Sequence, residues 1–145
     1  MSTRLAVILS LLTIIVALQV VGLVSHTAIR HLVQTAPLMA AIVLALVSPR
    51  WSIPAAAPLF TFWLLLMFLI WLFLLGIARI VKGTFTPIEV AMTIAVACAA
   101  IAGLAVAARN WPRSNIALGI AIALLFTAAQ FYAFRLSQLP PISHR

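Results

Sequence analysis

Long apolar runs alternate with short clusters of breakers along this chain. Uninterrupted hydrophobic stretches cover 5–24, 59–80, 88–108 and 116–134, with no charged side chain at their centres. A helix rises about 1.5 Å per residue and a bilayer's hydrocarbon core is about 30 Å thick, so each run suffices for one membrane-crossing helix. The stretch 28–47 differs, because its purely apolar part, Leu38 to Val47, is too short to cross alone. Extended back to Ala28 it becomes long enough. Ile29, Leu32, Val33 and Ala36 then share one helical face, while His26, Arg30 and Gln34 form a polar stripe at intervals of four. Thr27, His31 and Thr35 make a second stripe beside it. Pro37 removes a backbone donor and is expected to kink this segment or split off an interfacial half.

The expected fold class is an all-α integral membrane protein: one polytopic domain over 1–145, built as a bundle of five transmembrane helices with short loops. The number falls to four if 28–47 stays at the interface. Residues 135–145, with Pro140 and Pro141 adjacent, are expected to form an exposed tail. Connections are rich in breakers: SPRWSIPAAAP, VKGTFTP and NWPRSN. Trp51 and Trp111, each beside arginine and proline, suit interfacial anchoring. Five crossings place Arg4, Arg50, Arg109 and Arg113 on one side and Arg30, Arg79, Lys82, Arg135 and Arg145 on the other, too even a split to orient the chain.

Packing signals differ between segments. Ala91, Ala95, Ala99, Gly103 and Ala107 repeat at intervals of four, a ladder of small residues that lets another backbone approach closely. Gly119, Ala123 and Thr127 offer a matching row, and the short NWPRSN connection predicts that the fourth and fifth segments are antiparallel neighbours. The third, FTFWLLLMFLIWLFLLG, is bulky on every side and is expected to face lipid or a partner's apolar flank. Gln19, Thr93, Thr127 and Gln130 are candidates for hydrogen bonds between helices.

Composition confirms the class and narrows the chemistry. Hydrophobic residues make up 66% of the chain, charged ones 7%, and the mean hydropathy is +1.29, beyond what a water-soluble domain of this size covers with polar surface. The formal charge of +8 is scattered between apolar runs, so its expected partners are lipid phosphates rather than nucleic acid. The N-terminal apolar stretch exceeds the 7 to 15 residues usual for a signal sequence and reads as a retained helix. Lone Cys98 reads as a packing residue.

Glu89 is the only acidic residue. Thr86-Pro-Ile-Glu89 matches a capping box with proline at the first helical position and Gly83 supplying the turn before it, which makes the carboxylate a structural cap near water and near Lys82. The competing role is a proton or cation carrier, since an intramembrane carboxylate is a functional candidate by default. The other polar concentration is His26, Arg30, His31 and Gln34, whose candidate ligand is a lipid phosphate or a quinone head, with Arg30 as fixed charge. His26 and His31 are five residues apart and point roughly 140° from each other, a poor metal-binding pair, so no metal is expected. No histidine in the other segments pairs with them across a haem.

No nucleophile stands with a base, no carboxylates are paired, and no phosphate-binding glycine loop occurs, so the expectation leans away from an enzyme. The leading expectation is a multi-pass accessory, assembly or scaffold subunit of a bacterial cytoplasmic-membrane complex. It would work through helix packing and lipid or quinone contact, with other membrane subunits or copies of itself as partners. The alternatives are a small oligomeric transporter coupled through Glu89, or a redox subunit sharing haem or quinone near His26 and His31.

Overall fold

The computed structural model describes residues 2–78, 84–112 and 115–143. The helices are α1 (Thr3–Val24), α2 (Ala28–Val47), α3 (Ser52–Leu74), α4 (Pro87–Arg109), α5 (Ile116–Ser137) and a single turn, α6 (Pro140–Ser143), with a 3₁₀ turn at Pro49–Trp51. Among the described residues there is no strand, and α1 to α5 are each long and apolar enough to cross a membrane. Arg79, Lys82, Arg113, His144 and Arg145 lie outside the described residues.

The helices form a closed ring in the order α1, α2, α5, α3, α4 and back to α1, with α3 also leaning on α1 and α2. Side-chain bonds fix which ends meet. Thr3 Oγ1 donates to Asn110 Oδ1 at 3.4 Å and Arg4 Nη2 to the Leu46 carbonyl at 3.2 Å, so the start of α1 lies with the ends of α2 and α4. At the opposite end, Gln34 Nε2 donates to Ser137 Oγ at 2.9 Å and Arg30 Nη2 to Gln138 Oε1 at 3.1 Å. These bonds tie Ser137 and Gln138 to α2; within the expected exposed tail Ser137 is fully buried, while Arg135, Gln138, Leu139 and Pro140 are exposed.

Two further expectations are corrected. First, α4 packs on α1 and α3 and α5 on α2 and α3, so α4 and α5 are not packed along one another. The reason is that α3 stands between them, its Phe60 ring seated against Gly103 of α4. Second, α3 does have a close-packing face: Leu59, Phe60, Trp63 and Met67 are core residues, and only its other side, with Leu65 and Phe68, is exposed as expected. It also starts at Ser52 rather than Leu59, because the SIPAAAP stretch is its first two turns. Pro54, in the first turn, forfeits no helical bond, Pro58 lies inside the helix, and the buried alanines between them let this end pack tightly.

Of the ladder on α4, Ala99, Gly103 and Ala107 are buried, Ala95 is half-buried and Ala91 is exposed. Steps of four residues advance 400°, so a ladder of five drifts about 160° around the helix. The face actually buried is Glu89, Thr93, Val96, Ala100, Gly103 and Ala107, spaced 4-3-4-3-4, which keeps one seam against the neighbours. Pro37 sits buried inside α2, which is one continuous helix. Near it, Gln130 Nε2 of α5 donates to the Gln34 carbonyl at 3.3 Å, a neighbouring helix serving backbone beside the position that proline disturbs. Gln19 Nε2 likewise reaches Thr35 Oγ1 of α2 at 3.1 Å, whereas Thr93 and Thr127 donate to carbonyls of their own helices.

Candidate functional site

The capping box at the start of α4 is formed in full. Thr86 N–H donates to Glu89 Oε2 at 2.7 Å, Glu89 N–H donates to Thr86 Oγ1 at 3.3 Å, and Pro87 occupies the first helical position. The carboxylate thus closes the positive end of the helix dipole. Its surroundings differ from the expectation of a water-exposed group. Glu89 is only 9% exposed, because the third helical position coincides with the seam that α4 turns toward the bundle interior. Lys82 and Gly83, expected beside it, fall outside the described residues.

That seam opens onto a cavity of about 390 Å³ at the Arg30 end of the bundle. Glu89 and Thr93 of α4 share its wall with Arg30, His31 and Gln34 of α2 and Trp63 of α3. The two polar concentrations, remote in sequence, are therefore one site. Leu18, Met67, Ile70, Phe85 and Phe134 supply apolar wall, which leaves few polar groups converging in a mainly apolar pocket at the small end of ligand-site volumes.

α2 turns its polar stripe inward. Gln34 is 4% exposed and held by Ser137; Arg30 is half-buried at the rim, with its Nε buried and without a protein partner among the described residues. His31 lies over Gly22 of α1, where an added Cβ would come within 3.2 Å of the imidazole Cγ, so the absence of a side chain there lets the ring sit against the α1 backbone. Its protonation pattern follows from the neighbouring hydroxyls. Ser25 Oγ donates to the Val21 carbonyl at 2.7 Å, and Thr27 Oγ1, 2.7 Å away, therefore donates to Ser25. Thr27 is left as an acceptor, and its carbonyl can only accept, so His31 Nδ1 carries the hydrogen toward both at 3.2 and 3.1 Å. The neutral ring consequently presents Nε2 as an acceptor.

His26 does not join the site. It is exposed in the turn between α1 and α2 with φ of 56°, where Thr27 N–H bonds the Gly22 carbonyl at 2.7 Å and His26 N–H the Leu23 carbonyl at 3.4 Å. This is a left-handed helix terminus, a conformation in which histidine is among the better-tolerated residues. The same pattern ends α3, with Gly76 in the left-handed position.

Trp63, Thr93, Phe85 and Phe134 belong to the site although nothing in the pattern of polar residues marks them. The signal that does is spacing: Thr93 is one turn past Glu89 on the 4-3 seam, and Trp63 follows Ile53, Ala56 and Phe60 on a 3-4-3 seam of α3. Trp63 is 1% exposed, and its Nε1–H has no protein partner among the described residues. Among the described residues no group of three metal-ligating side chains forms. No protein-family model, no curated protein and no solved structure matches the chain.

Proposed function

We propose that this chain is a multi-pass membrane protein whose α1 to α5 cross a cell membrane, and that it acts as a non-catalytic accessory subunit binding an amphipathic ligand, a lipid or quinone head, in the cavity between α1, α2, α3 and α4. The observation that carries this reading is the convergence of Arg30, His31, Gln34 and Glu89 on one mainly apolar cavity. A guanidinium and a carboxylate inside a bundle are costly unless something polar answers them. The cavity also sits at a bundle end, the level at which lipid headgroups lie beside helices of this length.

Filling the cavity tests the reading. Thr93→Phe introduces a ring at a position on the cavity wall, while Thr93→Val keeps the volume and loses only a bond to the same helix's Val90 carbonyl. Protein purified in mild detergent is expected to retain a stoichiometric lipophile, detected by native mass spectrometry, in the wild type and Thr93→Val. Thr93→Phe is expected to lose it with helical content unchanged. Equal retention in Thr93→Phe contradicts the reading.

A further inference from the structure

The chemistry of the cavity wall restricts the head that fits, on the premise of the reading above. Among the described residues the wall carries one carboxylate, Glu89, and one guanidinium, Arg30. Each is held by a neutral partner rather than by the other: the carboxylate by Thr86 N–H, the guanidinium by Gln138 Oε1. Opposite charges kept apart around a small space have a charge-balanced complement, a ligand with one positive and one negative group. An anion alone leaves Glu89 facing it, a cation alone leaves Arg30, and an uncharged quinone leaves both desolvated without a counter-charge.

The two ends of the complement are set by donors and acceptors. Glu89 holds Thr86 through Oε2, and in the neutral His31 ring Nε2 is left as an acceptor because Nδ1–H is committed to Thr27. Two acceptors on the cavity wall call for a cation that donates hydrogen bonds. A primary ammonium does so; a quaternary one cannot. Arg30 offers only donors, which suit the oxygens of a phosphodiester.

The geometry points to a cavity built for an ethanolammonium phosphodiester, with the ammonium at Glu89 and His31 Nε2 and the phosphate at Arg30. Two sources carry this chemistry: a phosphatidylethanolamine of the bilayer and a soluble glycerophosphoethanolamine. The apolar walls at Leu18, Met67 and Ile70 favour the lipid.

The test uses the full chain in detergent micelles doped with equal amounts of phosphatidylethanolamine, phosphatidylcholine and phosphatidylglycerol, read by native mass spectrometry. The expected result is retention of phosphatidylethanolamine about tenfold above phosphatidylcholine, the scale of one charge-assisted hydrogen bond. Glu89→Gln, which preserves the capping box, is expected to erase that preference while circular dichroism stays unchanged. A competition with soluble glycerophosphoethanolamine separates the sources: failure to displace the lipid assigns the lipid, and displacement at similar concentration overturns that assignment. Equal retention of the three lipids, or a preference that survives Glu89→Gln, overturns the inference and leaves the cavity reading standing. Loss of every lipid from the wild type defeats that reading itself.

Discussion

Gly103→Ala is expected to destabilise the bundle by about 1–3 kcal/mol, the range for forcing volume into a closed core. A Cβ at this position would stand 2.5 Å from Phe60 Cζ and 2.7 Å from Cδ2, closer than real Cβ contacts come. Phe60 is fully buried at the centre of α3 and has no open side to retreat to. The clash must also outweigh the roughly 1 kcal/mol that alanine gains over glycine in a helix, so a net loss is a demanding result. Phe60→Leu alone is expected to cost stability by leaving a void, yet combined with Gly103→Ala it is expected to recover part of the loss. Unfolding in detergent followed by circular dichroism measures all three variants. Strictly additive losses would show that the α3–α4 contact is not where the structure puts it.

Trp63→Ala is expected to cost about 3–5 kcal/mol, the usual penalty for emptying a buried aromatic site. Trp63 is the largest fully buried side chain, and it meets Phe62 edge-on with ring centroids 5.5 Å apart. Trp63→Phe separates shape from polarity. Because the indole N–H has no protein partner among the described residues, its removal orphans nothing, and the loss should stay below about 1.5 kcal/mol. The same unfolding experiment checks both. Equal losses for Phe and Ala would mean that the N–H, and not the ring, holds this residue in place.

The helical class, the five apolar segments and the capping box at Thr86 and Glu89 were legible because each follows from local chemistry: run length, and a hydroxyl and carboxylate three residues apart. Which face of a helix turns inward was not, and α1 shows why. Its buried seam is Val7, Leu11, Ile14 and Leu18, spaced 4-3-4; its exposed face is Leu5, Leu9, Leu12 and Val16, with the same spacing and the same apolarity. When lipid and core are equally oily, hydropathy does not distinguish them, and side-chain shape decides. Small size alone misleads as well. The interval-four ladder on α4 drifts off the contact, whereas the 4-3 seam through Glu89, Val96, Ala100 and Gly103 stays on it.

The candidate site was half legible. Arg30, Gln34 and, on the adjacent stripe, His31 were identified by their spacing, but the inward turn of this face depends on Ser137, Gln138 and Gln130, roughly a hundred residues away. His26 appeared to belong to the stripe only by continuing the helical count two residues before Ala28, where α2 begins; His26 itself is left-handed and ends α1. Glu89 was legible as a cap and hidden as a cavity group, since both roles fall on one side chain and only the second needs α2 and α3 to be in place.

The face of α4 carrying Glu89 opens into a mainly apolar cavity inside the bundle, with a few polar groups on its wall. Cysteine accessibility tests it most directly, after the exposed native thiol is removed by Cys98→Ala. Thr93→Cys, one turn below Glu89 on the cavity wall, is predicted to react with a small water-soluble methanethiosulfonate reagent; Ile94→Cys, next in sequence on the outer face, is predicted to stay unlabelled in the bilayer. Labelling at 94 with none at 93 would contradict the account.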